Sequence, residues 1–399
     1  MDLQRRLYYL LLAIIGIFIL PYIGGCVWVY FNTPDNQFPA SYFEYPPLTA
    51  EPKAPYNQIV FIIIAIMFAA VALLYLFPRL FGFKKGNITD LIMPPMPKVS
   101  YPKWFWIGLI MQAGTLFILW GKFSEPKWLI NWADLPLFWG FTLVIDGLVY
   151  KRNGGSSLIR NAPQEIVAIG ASSVVGWLLF EYLNFYVDDN WLYPKGNLIP
   201  DNEFTIYAVI GSSGLLPLAF ECYSLLRTIK WLKNRFDNGI KIIIAPWIQT
   251  VILIVCFISL FLSAIFHNTL FFALWMSPMI ILVIMLDKFD IWTPFTPVKQ
   301  GNWTPMLLFA LSYFIIGFCL EGMNYFGATH NPDQTISTHN PAYWQYSLPY
   351  VNCCHVFEMP GLGLLGYMPF GVYCCVWWIV FAYLLNIKTN YLRFENDEN

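Results

Sequence analysis

Charge is what this chain has least of. Only 12% of its 399 residues are Asp, Glu, Lys or Arg, against about a quarter in a soluble domain. The two signs nearly cancel, with 23 Lys+Arg, 24 Asp+Glu and a net charge of -1. No single-signed field is present to hold a polyanion, and no basic, aromatic-interleaved stretch is present to line a nucleic-acid groove. Nucleic acid is therefore excluded as a partner. A Walker loop, a GxSxG elbow, an HExxH helix and a GxGxxG turn are all missing, so no cofactor is expected. Histidine is scarce. His267, His330, His339 and His355 all fall on one predicted side, and Cys353 and Cys354 adjoin the last, without a recognised ligand spacing. No metal is expected there. Cys26, Cys353 and Cys354 reach the same side, where one disulfide is open to them; the other cysteines lie in apolar runs and read as packing residues.

What is abundant is apolar surface, 58% of the residues. A chain so short of polar side chains cannot cover itself in water, so its solvent is lipid. A spanning helix needs about 20 mostly apolar residues. Ten segments qualify: Tyr8–Tyr30, Ile59–Phe77, Trp104–Trp120, Leu135–Tyr150, Glu165–Tyr186, Phe204–Leu226, Ile242–Phe266, Leu270–Leu286, Trp303–Tyr325 and Leu364–Leu385. The fourth and eighth are short. With both ends cytoplasmic, 19 of the 23 Lys and Arg fall inside, and only Lys53, Lys122, Lys127 and Lys195 fall outside. That positive-inside bias supports an even number of spans. The apolar run continues past Cys26 through Val27–Phe31, so the first span is expected to stay uncleaved.

The fold expected is therefore an all-α integral membrane protein, N-in and C-in, in three parts. Residues 1–92 form a hairpin around a Pro- and Tyr-rich outer loop, and the Met93–Pro97 proline run ends it. Residues 98–236 and 237–390 read as two parallel four-helix repeats. The repeat rests on a shared motif. Glu181-x-x-Asn184, Trp191-x-Tyr193 and Gly214-x-x-Pro217 recur in order as Glu321-x-x-Asn324, Trp344-x-Tyr346 and Gly366-x-x-Pro369. An acid in a membrane helix is costly and needs a reason. Glu and Asn three apart share one helix face, with Trp177 four before Glu181 and Gly317 four before Glu321. If the two faces met across the repeat axis, each carboxyl would be desolvated near a like charge and suited to proton donation. Against this, each Glu could reach interfacial water and each Asn could cap its helix. Glu358 and Glu203 sit just before predicted helices, where the helix dipole favours an acid. The chain is rich in aromatics, with 17 Trp, 24 Tyr and 34 Phe, so Trp177, Trp191, Tyr193, Trp344 and Tyr346 are candidate walls of an apolar cavity.

The segment Phe357-Glu358-Met359-Pro360-Gly361-Leu362-Gly363, with Gly366-Tyr367-Met368-Pro369-Phe370-Gly371 and Phe180–Asn184, resembles the signature of an uncharacterised bacterial family of multi-pass membrane proteins. That resemblance covers spans three to ten and implies a bacterial inner (cytoplasmic) membrane. More distantly, the order of acid and Asn, Trp-x-Tyr, then Glu is similar to the membrane-bound lycopene cyclase domain, a helical repeat protein that protonates a polyene and lets the cation close a ring. The likeness implies Glu181 and Glu321 as acids, with Asn184 and Asn324 beside them and Glu358 shaping the pocket. This chain departs from the cyclase pattern of Pro-x-Glu-Glu, having Glu358-Met359-Pro360 instead. The function expected is an outer-side or midplane site for an apolar isoprenoid or membrane lipid, with cyclase-like proton chemistry. The alternatives are a non-catalytic structural or assembly subunit among other membrane subunits, and a transporter.

Overall fold

The computed structural model describes residues 3–33, 51–84, 97–333 and 335–389. Most of the outer loop of the hairpin, and residues 93–96 of the proline run that bounds the first part, lie outside the described residues.

Among the described residues there are ten long helices: α1 Leu3–Asn32, α2 Gln58–Leu76, α3 Lys103–Trp120, α4 Asp134–Arg152, α5 Pro163–Asn184, α6 Asp201–Arg227, α7 Pro246–Ser263, α8 Ala273–Lys288, α9 Thr304–Phe326 and α10 Tyr367–Leu384. Eight of them are long and apolar enough to cross a membrane, and the other two are α4 and α8. The two shortfalls have different causes: α8 has only 16 residues, whereas α4 carries Asp134, Asp146, Lys151 and Arg152. The protein is thus all-helical and multi-pass. The strands among the described residues are pairs of residues at one end of the bundle: β1 Trp191–Leu192, β2 Thr329–His330, β3 Ile336–Ser337, β4 Gln345–Tyr346, β5 His355–Val356 and β6 Met359–Pro360.

Proline sets several helix limits. Ile242, Ile243 and Ile244 extend the apolar run of the seventh segment, yet they are not helical, because Ala245 precedes Pro246 and takes an extended backbone. In α6 the ring of Pro217 and its missing N–H disrupt the ladder one turn back. The chain tightens to a 3₁₀ turn at Ser212–Gly214, and Ser173 of α5 enters the gap. Its hydroxyl donates to Ser212 O (2.6 Å) and accepts from Leu216 N (3.2 Å). In the second copy, Gly366-x-x-Pro369, the Gly ends a 3₁₀ run, Gly361–Gly366, that leads into α10.

Helix α3 packs on α4, α4 on α6, and α5 on α6; α7 packs on α8, α8 on α10, and α9 on α10. The halves interlock, because α6 also packs on α9 and α5 on α10. The N-terminal α1 lies along α7 and α8, while α2 touches the 361–366 turn and has no buried residue. Three loops gather at one end, here the cap. Residues 51–57 strap across it: Ala54 N donates to Asn268 Oδ1 (2.8 Å), Asn57 N to Tyr350 O (2.9 Å), and Lys53 Nζ to Asn190 Oδ1 (3.0 Å) and to Val187 O. The opposite end, the base, is tied by Arg6 to Phe289 O (2.5 Å), Arg235 Nε to Tyr75 O (3.1 Å) and Gly239 N to Gly301 O (2.8 Å).

Candidate functional site

Both copies of the Glu-x-x-Asn motif sit at the cap ends of α5 and α9, and in both the Asn holds the returning chain. Asn184 Nδ2 donates to Trp191 O (2.9 Å), and its Oδ1 accepts from Asn190 N (2.8 Å). Asn324 Nδ2 donates to Trp344 O (2.8 Å), and its Oδ1 accepts from Trp344 N (3.2 Å). Neither Asn caps its own helix. Each binds the backbone at the start of its Trp-x-Tyr segment and so aims that segment back over the Glu one turn below.

Alternate residues of an extended chain point the same way, so Trp and Tyr of each segment turn together toward the acid. Glu181 Oε1 accepts from Trp191 Nε1 (2.9 Å) and Tyr193 OH (2.9 Å). Glu321 Oε1 accepts from Trp344 Nε1 (3.1 Å) and from Tyr367 OH, which lies 3.0 Å from Tyr346 OH. The intervening Tyr367 fits because residue 317 is Gly. A Cβ there would stand 2.6 Å from the Tyr367 ring. At the matching place in the first copy Trp177 fills the space, with Leu215 where the second copy has Tyr367.

The two segments then meet. Strand β1 pairs antiparallel with β4, Trp191 opposite Tyr346 and Leu192 opposite Gln345. This register exchanges the two Trp-x-Tyr segments by a two-fold rotation. The segments pair across the middle of the cap, whereas each acid bonds to its own copy of the motif.

The two acids differ in exposure. Glu321 is 0% exposed and its Oε2 has no hydrogen-bond partner among the described residues. Glu181 is half-buried, beside a run of half-buried indoles in which Trp177 and Trp191 are 5.9 Å apart and Trp191 and Trp275 are 5.2 Å apart. A recess of about 280 Å³, including space open to solvent, lies on the Glu321 side, lined by Asp134, Asn324, Asn340, Tyr343 and Trp344 among others.

Glu358 occupies a separate cluster. It lies in the β5–β6 turn, nine residues before α10, so the dipole of that helix is not what holds it. His330 Nε2 is 2.6 Å from its Oε1, Tyr343 OH donates to it, and Gln345 Nε2 donates to its Oε2 (3.2 Å). Gln345 faces this cluster while its neighbours Trp344 and Tyr346 face Glu321, so one strand carries both. The His330 ring stacks on Tyr325 at 4.1 Å. Glu203, by contrast, sits in the first turn of α6. Among the described residues no group of three His, Cys, Asp or Glu side chains is placed to hold a metal, and none of Cys26, Cys353 and Cys354 is in a disulfide.

Sequence reasoning missed Tyr367, Trp275 and the Lys53–Asp189 pair. Asp189 contacts Asn184 Nδ2 (3.2 Å). Burial pushes its carboxyl up to about 6, against the pull of Lys53 and with a further push from Asp188. Burial likewise lowers Lys53 to about 8, against both aspartates. A carboxyl raised above its unfolded value of 3.8 takes up a proton on folding. Its contribution is therefore present below about 4 and is lost as pH rises through about 6. The melting temperature is expected to carry a downward component between these values that Asp189→Asn removes. A profile left unchanged by the substitution would contradict the assignment.

No protein-family model, no curated protein and no solved structure matches this chain.

Proposed function

We propose that the chain is a ten-span bacterial inner-membrane protein that holds an apolar lipid or isoprenoid at the cap end, against the indole wall beside Glu181. The observation that carries this reading is the difference between the two copies. Glu321 is enclosed, whereas Glu181 is half-buried at the end of a membrane helix next to Trp177, Trp191 and Trp275. Indole rings at that depth suit a molecule with an apolar body and a polar end. Trp191 and Tyr193 both bond to Oε1 of Glu181, which leaves Oε2 as the atom to meet the polar end of a ligand or to carry a proton.

Three further observations support the architecture. The positive-inside bias makes the base cytoplasmic and the cap external. Helices α4 and α8, which fall short as free-standing spans, occupy equivalent places in the packing order and are sheltered by their neighbours. Their acids have equivalent partners. Asp146 of α4 accepts from Trp104 of α3 (2.8 Å) and Ser157 of the next loop (2.9 Å), and Asp287 of α8 from Gln249 of α7 (3.0 Å) and Lys299 of the next loop. Two parallel repeats, 98–236 and 237–390, account for both sets.

The test is purification in native-membrane nanodiscs with mass spectrometry of the retained lipids. The wild type is expected to retain one enriched apolar species. Trp177→Ala is expected to lose it, and Glu181→Gln to weaken it. A retained set matching bulk lipid in all three proteins would reject the site.

A second reading is a structural or assembly subunit. It is favoured by the use of both acids as acceptors for their own Trp and Tyr donors, which is how a rigid cap is built. A stoichiometric set of other membrane subunits in the same purification, without the enriched lipid, would select it.

A further inference from the structure

Asp146 and Glu221 form a second pair of acids, in the base half of the bundle and apart from the Trp-x-Tyr segments. Both are 0% exposed. Their surroundings are unequal. Every donor at the site goes to Asp146: Trp104 Nε1 (2.8 Å) and Ser157 Oγ (2.9 Å) reach Oδ1, and Ile159 N (3.0 Å) reaches Oδ2. Neither oxygen of Glu221 receives an N–H or O–H from any described residue, and the side chain abuts the carboxyl of Asp146.

Two carboxylates in contact with no cation between them would repel each other in a medium of low dielectric. A bare carboxylate without a donor also loses its hydration for nothing. One proton resolves both. Asp146, with three donors, is the group equipped to stay ionised. Glu221, with none, is the group that gains from becoming a neutral acid, its O–H donating to Asp146. A metal cation is a poor alternative. Sodium or calcium takes about six or more oxygen ligands, and three hydrogens already point at the Asp146 oxygens. Glu221 also interacts with the thiol of Cys222, which in turn interacts with Cys319 of α9; Arg227, further along α6, lies over the Tyr223 ring at 5.7 Å.

We propose that Asp146 and Glu221 bind one exchangeable proton, carried on Glu221, so that the base half of this bundle contains a proton-binding site separate from the cap acids. Release sends the proton to solvent at the base and leaves two facing carboxylates, the state the site disfavours.

Dicyclohexylcarbodiimide, which enters membranes and modifies protonated carboxyls in apolar surroundings, tests this on the full-length protein in native membranes. Peptide mapping is expected to place the adduct on Glu221. Labelling is expected to fall as the buffer is made alkaline, to be unaffected by sodium, and to be lost in Glu221→Gln. Adducts on other carboxyls with none on Glu221, or protection by sodium at fixed pH, would overturn the proposal. Glu221→Gln should fold, because the amide N–H can donate to Asp146 as the acid O–H did. Should it not fold, infrared spectra of the wild type and Asp146→Asn decide. A deuterium-sensitive protonated-carboxyl band that disappears at alkaline pH and is shifted by Asp146→Asn supports the site, and a band absent at neutral pH or unmoved by Asp146→Asn overturns it.

Discussion

Replacing Glu321 with alanine is expected to lower the melting temperature by on the order of 5–10 °C. The carboxyl is the acceptor for Trp344 Nε1 and Tyr367 OH, in a place without exposure to solvent. Alanine takes the acceptor from Trp344 Nε1 and leaves Tyr367 OH with Tyr346 OH as its partner, at about 1–3 kcal/mol for each bond lost, and opens a cavity besides. A total of about 3–6 kcal/mol gives a shift of that size for a chain this large. Glu181→Ala is expected to cost roughly half as much, because water can reach Trp191 and Tyr193 at the half-buried site. Glu321→Gln keeps the acceptor oxygen and should cost least. Thermal unfolding of the four proteins in one lipid environment makes the comparison. Equal losses for the two alanine variants would mean that the two sites are equally sealed.

The second large effect concerns the approach of α9 and α10, which places Tyr367 over Glu321. A Cβ on Gly371 would lie 2.3 Å from Tyr313 Cβ and 2.9 Å from Phe309 O. The second of these is backbone and cannot rotate away, so Gly371→Leu must part the helices. A Cβ on Gly317 meets the Tyr367 ring instead, so Gly317→Leu should displace that hydroxyl and cost Glu321 one donor. Overpacking typically costs about 1–3 kcal/mol and more where backbone is met, so Gly371→Leu is expected to be the worse of the two. Gly366 is the control. Its φ of -62° and ψ of -26° suit any residue, and no atom lies within 4 Å of an added Cβ. Gly366→Ala should therefore be neutral or slightly stabilising. Folded yield after purification and melting temperature read all three. A harmless Gly371→Leu would contradict the close packing.

How much of this was legible follows from which interactions are local. The helices were, because each is an apolar run of sufficient length, and the misjudged end at Ile242–Ile244 came from weighing hydropathy over the effect of Pro246. The paired motif was visible, and so was the significance of acids within it. Their partners were not. Trp191, Tyr193, Trp344 and Tyr346 read in sequence as walls of an apolar cavity and not as donors to the acids, and two-residue strands have no periodicity to read. The role of Tyr367 depends on a gap at Gly317 about 50 residues away, and the difference between Gly317 and Trp177 was visible without its consequence. Glu358 was grouped with helix starts because α10 was expected near Leu364. Pro360 and the glycines at 361, 363 and 366 instead make a turn and a 3₁₀ run ahead of the helix.

The central claim is that the two copies of the motif close the cap together while one of them, at Glu181, stays open to the bilayer. A cryo-electron microscopy map of the protein in nanodiscs formed from its own membrane tests this most directly. The account predicts an elongated density lying against Trp177, Trp191 and Trp275 with its polar end at Glu181, and protein alone around Glu321. An indole wall covered by protein, from this chain or from another subunit, would contradict it.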